Sequence, residues 1–183
     1  DGATWTDTSP AGPIAAGQTY VQTLAVYNGK LYAGTYNGGK VAVYDGASWT
    51  SMAPIAGQNQ VFSLAVYNGK LYAGIAPGGR VAVYDGVSWT DMGQIVAGQT
   101  YIQSFTVYNG KLYAGTYPNG HVAVYDGVSW TDLGQMATET SVQTLAVYNG
   151  RLYAGTASGK VAVYDGVSWT LVQIAGETGI SSL

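Results

Sequence analysis

The chain has 183 residues, 47% of them hydrophobic and only 9% charged, with 16 Tyr and 5 Trp supplying much of the bulk. That composition excludes a solvated disordered tail, and a net charge of −3 offers no basic footprint for nucleic acid or an anionic membrane. No apolar run approaches the roughly 18 residues of a membrane-spanning helix, and the absence of Cys excludes a disulfide framework or a thiolate metal site.

In chain order the first segment is Asp1-Gly2-Ala3-Thr4-Trp5-Thr6, a copy of a DGxSWT element that returns later. It reads as an orphan outer strand. Starting in mid-repeat, the chain reads as an excised, processed or engineered piece of a longer array. From Tyr27 a unit begins, YNGKLYAGTYNGGKVAVYDGASW, and near-copies follow from Tyr67, Tyr108 and Tyr148, spaced 40, 41 and 40 residues apart. A period of that size, built from short strands and tight turns, marks a radial array such as a β-propeller.

Each unit reads as four strands. The first, Val21 to Tyr27, ends at Asn28-Gly29, whose two positive-φ residues suit a two-residue type I′ hairpin. The second, Lys30 to Thr35, leads into a looser Gly-rich connection, and the third runs from Lys40 to Tyr44. Asp45-Gly46 makes another tight turn before a fourth strand beginning at Ser48-Trp49-Thr50. Val, Tyr, Trp, Thr and Leu dominate, and no stretch has helical spacing over three turns. One such sheet is apolar on both faces, so stacking units about an axis is what buries them. The expected blades cover about residues 20–52, 60–92, 101–133 and 142–172 of a single all-β propeller domain, 1–183. Partial strands lie at 1–8 and 180–183, and the ring is four- or five-bladed. Ile180-Ser181-Ser182-Leu183 aligns with Val21 to Leu24 as an orphan inner strand. Orphan strands at both ends suggest strand exchange between chains and a homo-oligomer.

The strand order, the Gly closing the second strand and the Trp of the fourth resemble kelch-type propellers, although kelch blades pair that Gly and this chain has one (Gly34, Gly74, Gly115, Gly155). The small repeat and its aromatic content are also similar to tachylectin-type five-bladed lectins. Neither resemblance carries binding residues onto this chain, and the hallmarks of WD repeats are missing.

Candidate chemistry is sparse. The repeated acid of YDG (Asp45, Asp85, Asp126, Asp165) could ring a cation, but an Asp at a turn bonds its own backbone two residues on, and no D-x-D-x-D loop appears. Asp91 and Asp132 read as solvated edge charges, and the lone His121 as a surface substitution where the sibling units carry Lys40, Arg80 and Lys160. Glu139 and Glu177 lack the asymmetry that an acid and a base require, no nucleophile is marked, and Tyr36-Asn37-Gly38-Gly39 is no phosphate loop. No catalytic site, metal or cofactor is expected.

Variation between copies is more informative. The Asn-Gly and Asp-Gly turns share one face and hardly vary, whereas the loops of the opposite face do. Tyr20, Tyr36, Asn37, Asn59, Tyr101, Tyr117 and Asn119 lie there, aromatic plates beside amides of the sort a shallow carbohydrate site uses. The expectation is a non-catalytic, multivalent, lectin-like module taking a glycan, with a protein ligand or a purely structural array as alternatives. A secreted or cell-surface location is favoured, with no nucleic acid partner and no membrane span.

Overall fold

The structure, a computed structural model, describes residues 20–55 and 57–182. Among these residues, sixteen strands form four separate four-stranded antiparallel sheets, each a meander in chain order. The first blade comprises β1 (Val21–Tyr27), β2 (Lys30–Thr35), β3 (Val41–Tyr44) and β4 (Trp49–Ser51). The second comprises β5 (Gln60–Tyr67), β6 (Lys70–Ala76), β7 (Arg80–Tyr84) and β8 (Trp89–Gln94). The third comprises β9 (Tyr101–Tyr108), β10 (Lys111–Tyr117), β11 (His121–Tyr125) and β12 (Trp130–Gln135). The fourth comprises β13 (Val142–Tyr148), β14 (Arg151–Thr156), β15 (Lys160–Tyr164) and β16 (Trp169–Gln173). No helix occurs among the described residues. The chain is thus an all-β propeller array, as the repeat predicts; the expected outer strand at 1–8 lies outside the described residues.

The turns form as their residue types require. Asn28 and Gly29 take φ of 47° and 71°, and the same pair recurs at Asn68, Asn109 and Asn149. At the other hairpin the Asp45 carboxylate accepts from the backbone N–H groups of Ala47 and Ser48, both at 2.9 Å, and Asp85, Asp126 and Asp165 do the same. These donors hold all four carboxyls below the ordinary carboxylate range, the backbone bond from Ser48, or its counterpart Ser88, Ser129 or Ser168, being the largest cause. The repeated acid therefore builds turns.

Consecutive blades pack through three apolar clusters. Tyr27, Tyr32 and Val41 of the first blade meet Val61, Leu71, Ile75 and Ala82 of the second. The second and third blades meet around Tyr67, Tyr72 and Val81 against Ile102, Leu112 and Ala114. Tyr113 and Val122 meet Val142, Leu152 and Ala154 between the third and fourth. One glycine per blade permits this approach. A Cβ on Gly34 would lie 2.6 Å from Val61 Cγ1, and one on Gly74 would lie 2.7 Å from Ile102 Cβ. Gly115 faces Val142 and Gly155 faces Ile180 in the same way. The single Gly closing the second strand is thus required by the neighbouring blade, not by a turn.

Ile180 packs against the end of β14. Its N–H donates to the Thr156 carbonyl at 2.9 Å, and its side chain covers Gly155 as Val61 covers Gly34. Residues 180–182 nevertheless pair with no second strand, so the segment is not itself a β-strand.

Asp91 and Asp132 lie exposed on the outer edge strands β8 and β12, as expected, and they also have partners. Each sits across the β7–β8 or β11–β12 hairpin from a cationic or imidazole partner, Arg80 at 2.6 Å and His121 at 2.9 Å, and each also accepts from a backbone N–H two residues on. His121 is accordingly a paired group, with its side chain 22% exposed.

Candidate functional site

The meander topology sends the Asn-Gly and Asp-Gly turns to one end of every blade and the β2–β3-type connections and inter-blade segments to the other. The constant end is locked by the scaffold. Tyr27 Oη donates to the Gly69 carbonyl at 3.2 Å, Tyr67 Oη to Gly110 at 2.9 Å and Tyr108 Oη to Gly150 at 3.2 Å. The variable end is tied down through its backbone. Ile55, Ile95, Met136 and Ile174 each donate to the glycine carbonyl of their own blade's Gly-rich connection, and Asn59 and Thr100 donate to the last residues of β6 and β10. Backbone bonds hold the loops, leaving side-chain identity at this face free to vary.

The predicted residues divide into two groups there. On the first blade Tyr20 is 66% exposed and meets the half-buried Tyr36 edge-on, with ring centroids 6.0 Å apart. On the third, Tyr101 and Tyr117 face each other across β9 and β10 at 5.5 Å, with Tyr117 40% exposed. The second blade lies between these platforms and carries Gln60 opposite the buried Ala76. Asn37 and Asn119 are exposed and occupy the left-handed region, φ 66° and 68°, so their first task is to make the turn. Asn59 is exposed on the second blade, and its N–H donates to the Ala76 carbonyl at 2.8 Å.

Phe62 is the residue that the sequence reading missed. It sits at the bulge of β5, between Val61 and Ser63, and its ring lies 4.8 Å from Tyr101. The platform of the third blade is therefore completed from the second as a trio, Phe62, Tyr101 and Tyr117. The available signal was that Phe62 stands where the other copies carry Gln22, Gln103 and Gln143.

The buried acid of this face, Glu139, is committed to an ion pair. Glu139, 2% exposed, is bound by Lys160 Nζ at 2.7 Å and by the Ser158 hydroxyl at 2.5 Å. Burial acts to raise its pKa, but the bonds from Lys160, Ser158 and Thr156 and the Lys160 charge together outweigh it and hold the carboxyl low. A carboxylate kept ionised by a lysine is unsuited to general-acid work. The pairing follows from the copies: Leu171 replaces the acid found at Asp91 and Asp132, so Lys160 takes its counter-charge from the preceding inter-blade segment. Among the described residues no three His, Asp or Glu side chains gather as a metal site would need, and no helix is long and apolar enough to cross a membrane.

Among solved structures, the chain is similar to the extracellular domain of a protein described as a hybrid two component system of B. thetaiotaomicron, with TM-score 0.74 and 19% identity over 93% of this chain and 25% of that one. It is similar also to virginiamycin B lyase from Staphylococcus aureus, with TM-score 0.76 and 8% identity over 86% of this chain and 57% of that one. The WD40 beta propeller domain of Doa1 gives TM-score 0.71 and 14% identity over 89% and 57%. The chain thus spans a quarter to little more than half of these proteins, and at such identities the likeness is one of fold. No curated protein sequence matches it. The family profile described as the DUF6242 beta propeller domain matches residues 1–132, well over half of the chain. The chain therefore belongs to the DUF6242 beta propeller domain family.

Proposed function

We propose that this propeller is a non-catalytic recognition module whose variable face takes carbohydrate. The observation that carries the reading is the pair of aromatic platforms, Tyr20–Tyr36 on the first blade and Phe62–Tyr101–Tyr117 formed jointly by the second and third. Exposed aromatic rings offer flat apolar area to the axial hydrogens of a sugar, and the neighbouring Asn37, Asn59 and Asn119 bring amides able both to donate and to accept. Two platforms on one rigid scaffold let weak sites act together, so avidity does not require a deep pocket. Within this reading the likeness to tachylectin-type lectins extends to function, while the kelch likeness stays with the blade.

The test is a glycan array probed with the full chain, followed by titration of the best ligand against Tyr36→Ala and Tyr117→Ala. Each substitution is expected to weaken binding at least about fivefold, the loss of about 1 kcal/mol typical of a truncated anchor. A silent array, or binding indifferent to both substitutions, sinks the carbohydrate reading in favour of a protein ligand or a purely structural array.

A further inference from the structure

At each of the three internal junctions the leading face of one blade packs on the trailing face of the next. Each internal junction centres on tyrosines. Tyr27 and Tyr32 of the first blade lie 5.7 Å apart and meet Tyr84 of the second at 6.2 and 6.3 Å. Tyr67 and Tyr72 meet Tyr125 at 6.1 and 5.9 Å in the same way, and Tyr108 and Tyr113 gather with Tyr164.

Among the described residues, the fourth and first blades present the two halves of this junction. On the leading face of the fourth blade, Tyr148 and Tyr153 lie 6.3 Å apart, but Tyr148 is 66% exposed where Tyr27 and Tyr67 are 4%. Tyr153 and Val161 are only half-buried, whereas their counterparts on the other three blades are buried. On the trailing face of the first blade, Leu24 is 56% exposed where Leu64 and Leu145 are 9% and 8%. Val21 is 43% exposed where Val61, Ile102 and Val142 are fully buried. Tyr44, the counterpart of Tyr84, stands there half-buried.

We propose that the trailing face of the first blade in one molecule docks on the leading face of the fourth blade in a second copy of this chain. Tyr44 of that copy completes the trio begun by Tyr148 and Tyr153, and its Gly29 carbonyl receives the Tyr148 hydroxyl as Gly69, Gly110 and Gly150 receive theirs. The contact continues an interface that the chain already forms three times, which is why a second copy is the fitting occupant. No strand leaves its own sheet. The faces differ, so the contact is heterologous, and it closes into a ring or extends as a filament according to the rotation per molecule. Ile180 holds the place over Gly155 that Val21 of the incoming copy would take, so residues 180–182 yield on docking.

The experiment is analytical ultracentrifugation of the full chain over a concentration series, alone and with Leu24→Glu and Tyr148→Glu. Both positions are exposed in the single molecule, so circular dichroism and melting temperature should stay near those of the parent. The parent is expected to show a mass that rises with concentration above that of one chain, and each variant alone the mass of one chain. An equimolar mixture of the two variants is expected to give a complex of two chains and nothing larger, because one retains a working leading face and the other a working trailing face. A parent that stays at the mass of one chain overturns the proposal, as does assembly indifferent to both substitutions. A mixture with no complex overturns it too, since a self-complementary contact would then be the one broken.

Discussion

The Tyr67 hydroxyl donates to the carbonyl of Gly110, 43 residues away, across the junction between the second and third blades. The ring is buried among Tyr72 and Tyr125, so a single side chain both fills the junction and locks the next hairpin. Tyr67→Phe should remove only the hydrogen bond and cost about 1 kcal/mol, whereas Tyr67→Ala should cost about 3–5 kcal/mol by opening a cavity. Urea unfolding of both variants measures the two contributions separately.

Gly74 and Gly69 should fail for different reasons when changed to Ala. At Gly74 the new methyl would press on the Ser63 hydroxyl of its own blade and on the Ile102 Cβ and backbone carbonyl of the next, and overpacking of this kind costs about 1–3 kcal/mol. At Gly69 nothing lies within 4 Å, but φ is +70°, so the cost is backbone strain of about 1–2 kcal/mol. Ser63→Ala, which removes the atom nearest to that methyl, should relieve part of the Gly74→Ala cost and leave Gly69→Ala unchanged, whereas Ile102→Val keeps the Ile102 Cβ and carbonyl in place and should relieve neither. Equal effects of Ser63→Ala in both backgrounds would contradict the assignment.

Acid should weaken the fold through the four turn aspartates. Their folded-state pKa values are depressed, so their contribution is present above the ordinary carboxylate pKa and is lost as pH falls through the folded values. Asp85→Asn should therefore be less stable than the parent at pH 7, with the difference shrinking as pH drops below about 4. Thermal melts across that range test the sign.

Glu139→Gln should destabilise at neutral pH, because Lys160 loses its counter-charge in a site where the carboxylate is buried. The expected loss is about 1–3 kcal/mol, below that of a fully buried pair because Lys160 remains 31% exposed. Arg80→Gln at the more open pair with Asp91 should cost under about 1 kcal/mol. Chemical denaturation at two salt concentrations should show the Arg80 effect fading and the Glu139 effect persisting.

The repeat, read from sequence alone, determined the blade. Asn-Gly and Asp-Gly are local signals, and their backbone requirements are met within four residues, so the hairpins and the turn role of Asp45 were legible without tertiary information. The face carrying the variable loops followed from counting strands. Other features depend on atoms some forty residues away, and only the tertiary structure decided them. Gly34 and its counterparts are small because the next blade approaches, a constraint with no local signature. Phe62 joined the aromatic face because a bulge re-aims one inner-strand side chain toward Tyr101. His121, Asp132 and Glu139 read as isolated charges along the chain and became partners only when hairpin register and blade packing brought them within reach. Local chemistry writes the unit, while packing between units decides what each exposed or charged residue is for.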